Sequence, residues 1–371
     1  MGSLFGLDTA ELEAFAAEAG EPPYRGRQLA GWLYKKNAVD VAAMTDLPRR
    51  FRERIAAAAP TCGNLRLLSK AVADDGTRKF LFGSDRGGTL EAVLMPVWAD
   101  SIVPGGDRDP EASTRVTACI STQVGCAVGC VFCATGLSGF QKNVTAGEMV
   151  EQVVRMQRET GMRVSNVVFM GMGEPFLNYD ETLKAVRLLN SEVGIGMRHL
   201  TISTSGIIPG IDRLAGEKLQ LTLAVSLHAP TDELRDFLVP LNKKYPLADL
   251  KAAMKRYLDK TGRRLTVEYV MLHRVNDSAP TAAQLADYLR DLPGIHVNLI
   301  PYNATDAEFR PSPPRAIARF QQILRDRGIN ATVRVERGAE IDGACGQLRR
   351  RLDTGAPLVK QEPASLAEED G

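Results

Sequence analysis

Three cysteines fall within Cys126-Ala-Val-Gly-Cys130-Val-Phe-Cys133, a C-x3-C-x2-C spacing with a phenylalanine between the last two. Thiolates this close can converge on one inorganic centre. They are one short of the four that close a structural zinc site or fill a cysteine-ligated iron–sulfur cluster. A [4Fe–4S] cluster on three thiolates keeps one iron open, and an open metal position is what catalysis needs and a structural staple does not. Metal centres Cys126, Cys130 and Cys133 are therefore expected, with zinc as the alternative occupant. Cys62, Cys119 and Cys345 lie scattered elsewhere, and six cysteines so unevenly placed fit a reducing compartment better than a disulfide scaffold.

An open iron needs something to bind. Four further segments carry small, polar or acidic residues in tight clusters: Gly171-Met172-Gly173-Glu174-Pro175, Ser203-Thr204-Ser205-Gly206, Ser226-Leu227-His228-Ala229-Pro230 and Pro301-Tyr302-Asn303. A glycine loop with one carboxylate suits an amino group, because glycine lets backbone carbonyls approach and the acid supplies a counter-charge. Serines and an asparagine suit a carboxylate, a ribose or a purine edge. Each segment alone has a plain structural reading: a turn, a helix cap, a hydrogen-bonded loop histidine. Together they describe a pocket for an amino-acid-bearing nucleoside beside an open iron, which is S-adenosylmethionine (SAM), with Gly173, Glu174, Ser203, Ser226, Leu227, His228 and Asn303 as its lining.

What unites these segments is the element each one follows. Strands are read at 115–121, 166–170, 199–203, 220–226, 265–271 and 296–301, separated by helical patterns such as Tyr245 to Leu258 and Pro280 to Leu289. Ligands of parallel α/β sheets bind beyond the carboxyl ends of the strands, where these segments lie. Six strand–helix units are too few for an eight-stranded barrel, so the expected fold class is α/β, a partial (β/α)6 barrel open on one side. The helix after the cysteines opens on a capping box, Thr145-Ala-Gly-Glu148. In the first strand Val116, Ala118 and Ile120 share one face, and if that face packs against helices Cys119 points inward.

Before the barrel, residues 1–60 read as a helical domain and 61–111 as a β-hairpin linker, in which Glu91 lies on the last strand and Asp75-Gly76 marks a turn. Trp98 to Ser113 has no periodicity and reads as a flexible loop. The core spans 112–352, closing with a helix (Arg315 to Arg327), a strand (Ala331 to Glu336) and Cys345. Residues 353–371 are small, polar and acidic, and read as a disordered tail. The formal net charge of +1 across 371 residues makes no global case for a nucleic-acid partner. Locally, the stretch between Pro22 and Pro60 holds Arg25, Arg27, Lys35, Lys36, Arg49, Arg50, Arg52 and Arg54 against Asp40, Asp46 and Glu53, near Tyr24, Trp32 and Tyr34. That is either a solvated helix face or a phosphate-binding surface. No apolar run approaches a membrane span and the first residues lack a signal peptide's pattern, so a cytoplasmic protein is expected.

The sequence resembles the radical-SAM RNA methyltransferases of the RlmN/Cfr family over nearly its whole length. The resemblance rests on Tyr24-Arg25-Gly-Arg-Gln-Leu and Trp32-Leu-Tyr-Lys-Lys, and on the extended motif from Gln123 through Cys126, Cys130, Phe132 and Cys133 to Gly136, Gly139 and Phe140. It continues through the four strand-end segments, Pro240-Leu-Asn-Lys-Lys and Ala344-Cys345-Gly-Gln-Leu. The long Trp98 to Ser113 insertion departs from the family pattern.

The resemblance implies a [4Fe–4S] cluster and SAM as cofactors, and methylation of adenosine carbon 2 in 23S rRNA and tRNA. It implies that Cys345 is methylated first, that its methyl carbon becomes a radical and adds to the adenine, that Glu91 removes the ring hydrogen, and that Cys119 attacks the Cys345 sulfur, leaving a transient disulfide. A flavodoxin- or ferredoxin-type electron donor, a monomer and no membrane association complete the expectation. The alternatives are methylation of carbon 8, as in the Cfr branch, a radical-SAM activase acting on protein, and a non-catalytic zinc or RNA-binding protein.

Overall fold

A computed structural model of the chain describes residues 3–58, 62–98, 113–305 and 307–348. The chain starts with α1 (Thr9–Glu18), α2 (Tyr24–Ala30), which widens into a π turn (Gly31–Lys35), and α3 (Arg49–Ala58). Asp8 and Glu11 form a capping box that opens α1. Leu12, Ala16, Leu29, Leu33, Phe51 and Ile55 are buried between these helices. Each large apolar side chain fully buried there contributes roughly 1.5–3 kcal/mol. Burying Phe51 and Ile55 turns the other faces of α3 outward, so Arg49 and Arg50 are exposed.

Three antiparallel strands follow, β1 (Leu65–Val72), β2 (Arg78–Ser84) and β3 (Thr89–Trp98), with Gly76 at φ +80 in the turn joining the first two. The next strand, β4 (Ser113–Cys119), pairs antiparallel with β3 on one side and parallel with the following core strand on the other. The hairpin region is therefore hydrogen-bonded into the core sheet. The insertion's two ends, Trp98 and Ser113, are register partners; residues 99–112, read from sequence as a flexible loop, and 353–371, read as a disordered tail, lie outside the described residues.

After β4 come a short hairpin, β5 (Gln123–Gly125) with β6 (Phe140–Asn143), and between them the turn α4 (Ala134–Leu137). The barrel then alternates α5 (Ala146–Thr160), β7 (Asn166–Phe169), α6 (Tyr179–Leu188), β8 (Leu200–Thr204), α7 (Ile208–Leu214), β9 (Thr222–Ser226), α8 (Asp232–Leu238) and α9 (Leu247–Thr261), then β10 (Leu265–Met271), α10 (Ala279–Leu289), β11 (His296–Pro301), α11 (Pro314–Asp326) and β12 (Asn330–Val333). The capping box at Thr145 and Glu148 forms as read. The sheet has ten strands in the order β1-β2-β3-β4-β7-β8-β9-β10-β11-β12, parallel from β4 onward. It does not close on itself among the described residues, as a partial barrel requires. No described helix is long and apolar enough to cross a membrane.

The inner and outer faces of the parallel strands differ sharply. Ala118, Ile120, Val167, Phe169, Ile202, Leu223, Val225, Val267, Tyr269, Val297 and Leu299 are buried, and their strands alternate them with Thr117, Cys119, Asn166, Thr201, Ser203, Ser226, Glu268 and Asn298. A period of two puts the apolar set against the helices and the polar set inside the barrel. The interior is thus a polar lumen.

Candidate active site

The cysteine triad occupies the loop held by the β5/β6 hairpin, and the backbone N–H of Cys126 donates to Gly139 O at 3.0 Å. Gly125 has φ +77, and a side chain there would run into Gly139 O, so only glycine lets the two ends of the loop meet. Behind the loop lies a satellite apolar cluster of Val128, Phe132, Leu238, Val239, Leu272 and Tyr302, with Cys126, Cys130 and Cys133 packed against it. Val131 N–H donates to Leu238 O (3.2 Å) and Phe132 meets His228 edge-on at 4.9 Å. This hairpin and its apolar backing were not among the elements read from the sequence.

The donor set fits a cluster. Burial pushes the Cys126 thiol up to about 12 and that of Cys130 well above its ordinary value, and neighbouring thiols of the triad raise both further. Crowded sulfurs become thiolates only around a positively charged centre. Among the described residues no three His, Cys, Asp or Glu side chains converge on one metal-ion position. In a cubane each thiolate takes a different iron.

The strand-end segments do gather at the carboxyl ends of β7, β8, β9 and β11. Ser203 Oγ and Ser226 Oγ lie 3.3 Å apart. Neither caps a helix; Thr231 caps α8. Gly173 has φ +103, and a Cβ would strike Gln123 at 2.5 Å. Glu174 is buried, and its carboxylate accepts from the backbone N–H groups of Ser205 (2.7 Å) and Phe176 (3.1 Å), bracing the β7 and β8 loops together. Burial raises its pKa against those hydrogen bonds. His228 sits at φ +64 with Nδ1 accepting from Val270 N–H at 3.1 Å, and burial, aided by Arg235, lowers its pKa to about 3. It is a neutral imidazole. Leu227 is fully buried, and Asn303 Nδ2 donates to Cys345 O at 3.4 Å.

Sequence reasoning missed Arg235. Its guanidinium is fully buried and donates to Leu227 O (3.0 Å), Asn242 Oδ1 (2.9 Å), Ser205 O (2.7 Å) and Ser226 O (3.2 Å), tying the β8 and β9 loops into one wall. An arginine in an acidic helix start, Asp232-Glu-Leu-Arg235, carries no local signal for that role.

Glu91, Cys119 and Cys345 come from three distant parts of the chain. Val93 is the register partner of Cys119, so Glu91, two residues back, projects from the same sheet face as Cys119. Glu91 is buried with Lys79 Nζ 3.2 Å from its carboxylate, and its carbonyl accepts from Ser121 Oγ at 2.5 Å. Cys119 is half-buried on the inner face, as its alternation implied. Beyond β12 the chain turns back as a strap. Arg337 donates to Pro96 O (2.8 Å), Lys79 Nζ to Asp342 O (3.4 Å), Ala134 N–H to Gly346 O (2.9 Å) and Thr135 Oγ1 to Leu348 O (2.6 Å). The strap therefore runs from β12 to β2 and β3 and then onto the turn after Cys133, carrying Cys345 into the mouth. Burial pushes the Cys119 thiol up to about 12, Cys345 raising it further and Arg334 opposing. The surrounding protein also raises Cys345, with Arg334 again opposing and Glu268 and Cys133 adding to the rise. Cys345 and Arg334 thus bear on the Cys119 thiol, and Arg334, Glu268 and Cys133 on that of Cys345.

The model of the "Ribosomal RNA large subunit methyltransferase N-terminal domain" matches residues 3–60, and that of the "Radical SAM superfamily" residues 120–286. A "Probable dual-specificity RNA methyltransferase RlmN" of Symbiobacterium thermophilum is 47% identical over 357 residues, 93% of this chain and 91% of the relative. The chain belongs to the RlmN family. Another relative, the "Ribosomal RNA large subunit methyltransferase N" of Nitrosopumilus maritimus, is 44% identical across 94% of this chain and 99% of its own. The crystal structure of a radical SAM methyltransferase from Sphaerobacter thermophilus superposes with a TM-score of 0.86 at 50% identity, covering 94% of this chain and 99% of that one. RlmN-family enzymes are radical-SAM methyltransferases that use a [4Fe–4S] cluster and SAM, which accords with the triad and its open donor count. The family's N-terminal match coincides with the helical module. Several of that module's cations are engaged internally: Arg27 with Glu13, Arg52 with Ala42 O, Arg54 with Ala19 O and Lys36 over the Trp32 ring at 3.5 Å.

Proposed function

We propose that this protein methylates carbon 2 of adenosine in 23S rRNA and in tRNA through an S-methylated Cys345 and a transient Cys119–Cys345 disulfide. Carbon 2 of adenine lies between two ring nitrogens and is electron-poor, so it does not attack a methyl sulfonium. Bound at Cys126, Cys130 and Cys133, the cluster with SAM would supply one-electron chemistry able to take a hydrogen atom from a methyl group. The protein's own residues divide the remaining work. Cys345 presents the methyl group and bonds through its carbon to the adenine. Glu91 takes the ring proton. The adduct's unpaired electron would return to the one-electron centre that supplied it. The Cys119 thiolate then attacks the Cys345 sulfur, a sulfur–sulfur bond forms as the sulfur–carbon bond breaks, and the freed carbon takes up a proton to become the methyl group as the base leaves. The SAM pocket is assigned to Gly173, Glu174, Ser203, Ser226, Leu227, His228 and Asn303.

The observation that supports this reading is the strap, which ties the Cys345 segment to the turn after Cys133 and to Asn303 at the end of β11, while Cys119 lies on the inner face of β4. An activase acting on protein would have no use for that arrangement. An adenine in a duplex hides its carbon 2, so the substrate is a loop or a flipped nucleotide, with Arg50 and Arg49, the latter now paired with Glu53 at 2.8 Å, on the exposed face of α3 contacting the surrounding phosphates. The reading places the protein in the cytoplasm as a monomer served by a flavodoxin- or ferredoxin-type reductant. The test is product-nucleoside mass spectrometry after anaerobic turnover with an RNA stem-loop, against 2-methyl- and 8-methyladenosine standards. The 2-methyl product is expected, with none from Cys345→Ala. An 8-methyl product would move the protein to the Cfr branch, and full activity of Cys345→Ala would sink the proposal.

A further inference from the structure

The polar lumen contains a buried carboxylate that the roles above leave unused. Glu268 lies mid-way along β10, in register with Ser226 on β9 and Asn298 on β11, and is 3% exposed. One carboxylate oxygen accepts from Asn298 Nδ2 (2.8 Å) and Thr266 Oγ1 (3.1 Å). The other, Oε2, has no hydrogen-bond partner. An anionic oxygen buried without a donor is costly, and a native protein that keeps one normally reserves it for a ligand or water.

The cation paired with that oxygen is Arg334, 3.8 Å away. It stands at the carboxyl end of β12, its backbone N–H held by Leu299 O at 2.8 Å and its side chain partly exposed. Its guanidinium touches Met170 Sδ at 3.8 Å, and Met170 follows β7, the parallel neighbour of β4 that carries Cys119. It makes no side-chain hydrogen bond to nitrogen or oxygen among the described residues, although it offers five donors. Arg334 also acts on both sulfurs, those of Cys119 and Cys345. The lumen therefore presents a carboxylate oxygen with no hydrogen bond, paired loosely with a guanidinium, on the sheet face that also carries Cys119.

The Watson–Crick edge of adenine has the matching sequence: the N6 amino donor, the N1 acceptor and then C2. We propose that Glu268 and Arg334 read the target adenine, Glu268 Oε2 accepting from N6 and Arg334 donating to N1, so that C2 is presented to Cys119 and Cys345. The inference rests on the function proposed above and adds its base specificity. Guanine and hypoxanthine reverse both groups, placing O6 against a carboxylate and N1–H against a guanidinium, and are rejected by repulsion as well as by lost bonds. Carbon 8, on the opposite side of the purine, is turned away.

The test uses the reconstituted full-length holoenzyme and three stem-loop RNAs with adenine, purine (which lacks the N6 amino group) or hypoxanthine at the target position. Methylated nucleoside is quantified by mass spectrometry to give kcat/KM. Wild type is expected to lose at least about tenfold on purine, because a buried acceptor is left unpaired, and more on hypoxanthine. In Glu268→Gln the adenine-to-purine ratio should fall to within about threefold, and discrimination against hypoxanthine should weaken because an amide can donate to O6. A ratio taken within one protein is unaffected by lost stability, and if Glu268→Gln does not fold, the three RNAs on wild type still decide. Equal wild-type kcat/KM on adenine and purine overturns the inference alone. A Glu268→Gln variant that keeps the full purine penalty and binds SAM more weakly also overturns it, assigning the free oxygen to the SAM ribose. Methylation of none of the RNAs overturns the proposed function and this inference with it.

Discussion

The cysteine loop and the Glu91–Cys119–Cys345 group both carry sulfur chemistry, yet they are built in opposite ways. The loop is local: its three ligands lie within Cys126–Cys133, between strands of one small hairpin, with its own apolar backing. The second group is assembled across the fold, with Glu91 set by β3/β4 register, Cys119 by inner-face alternation and Cys345 by a strap tied at several points. A local site can bind its centre whether or not the distant parts are in place. In its proposed role the distributed group would work only when sheet, strap and loop are all docked, which would confine methyl transfer to the fully folded protein.

That difference is most sharply tested by two cysteine variants. Cys126→Ala should abolish both iron binding and methylation, whereas Cys119→Ala should keep the iron and sulfide content of wild type and fail only at product release, leaving protein covalently joined to RNA. Metal analysis and gel shift under denaturing conditions separate the two. Loss of iron in Cys119→Ala would mean that the regions are not independent.

A smaller effect is expected at the join between base and strap. Lys79→Met removes the ammonium that lies against Glu91 and also donates to Asp342 O. Breaking a buried ion pair costs about 3–5 kcal/mol, so the denaturation midpoint should drop markedly, and Lys79→Met/Glu91→Gln should recover much of the loss. A Lys79→Met protein as stable as wild type would show that the pair does not hold the strap.

The smallest effect per unit of pH change concerns the backing of the cysteine loop. Burial holds His228 at about 3, below its ordinary 6.5, so between those values the unfolded chain binds a proton that the folded chain does not. Stability from this group is complete above pH 6.5 and falls by up to about 1.4 kcal/mol per unit as pH drops towards 3. His228→Asn should flatten the dependence of unfolding free energy on pH in that window by one proton. An unchanged slope would show that the ring is not kept neutral by the fold.

The loop's legibility follows from its locality. Cysteine spacing, the capping box at Thr145 and the strand–helix alternation are short-range patterns, and they suffice to pick out the triad and to place the strand-end segments. Side-chain alternation in 115–121 even gave the inward direction of Cys119. Glu91 and Cys345 were recognisable only through family resemblance, because nothing within ten residues of either marks it as reactive.

Composition and periodicity determined the α/β class, the cysteine triad proposed to hold the cluster and the strands whose ends carry the proposed pocket, since each depends on interactions within a few residues or one element. Tertiary structure alone decided that the hairpins join the barrel sheet, that Arg235 locks two loops together and that a strap returns Cys345 to Cys119. It alone set the free oxygen of Glu268 beside Arg334. The physical reason is that these placements depend on strand register and on hydrogen bonds between residues far apart in the chain, and neither leaves a periodic trace in the sequence.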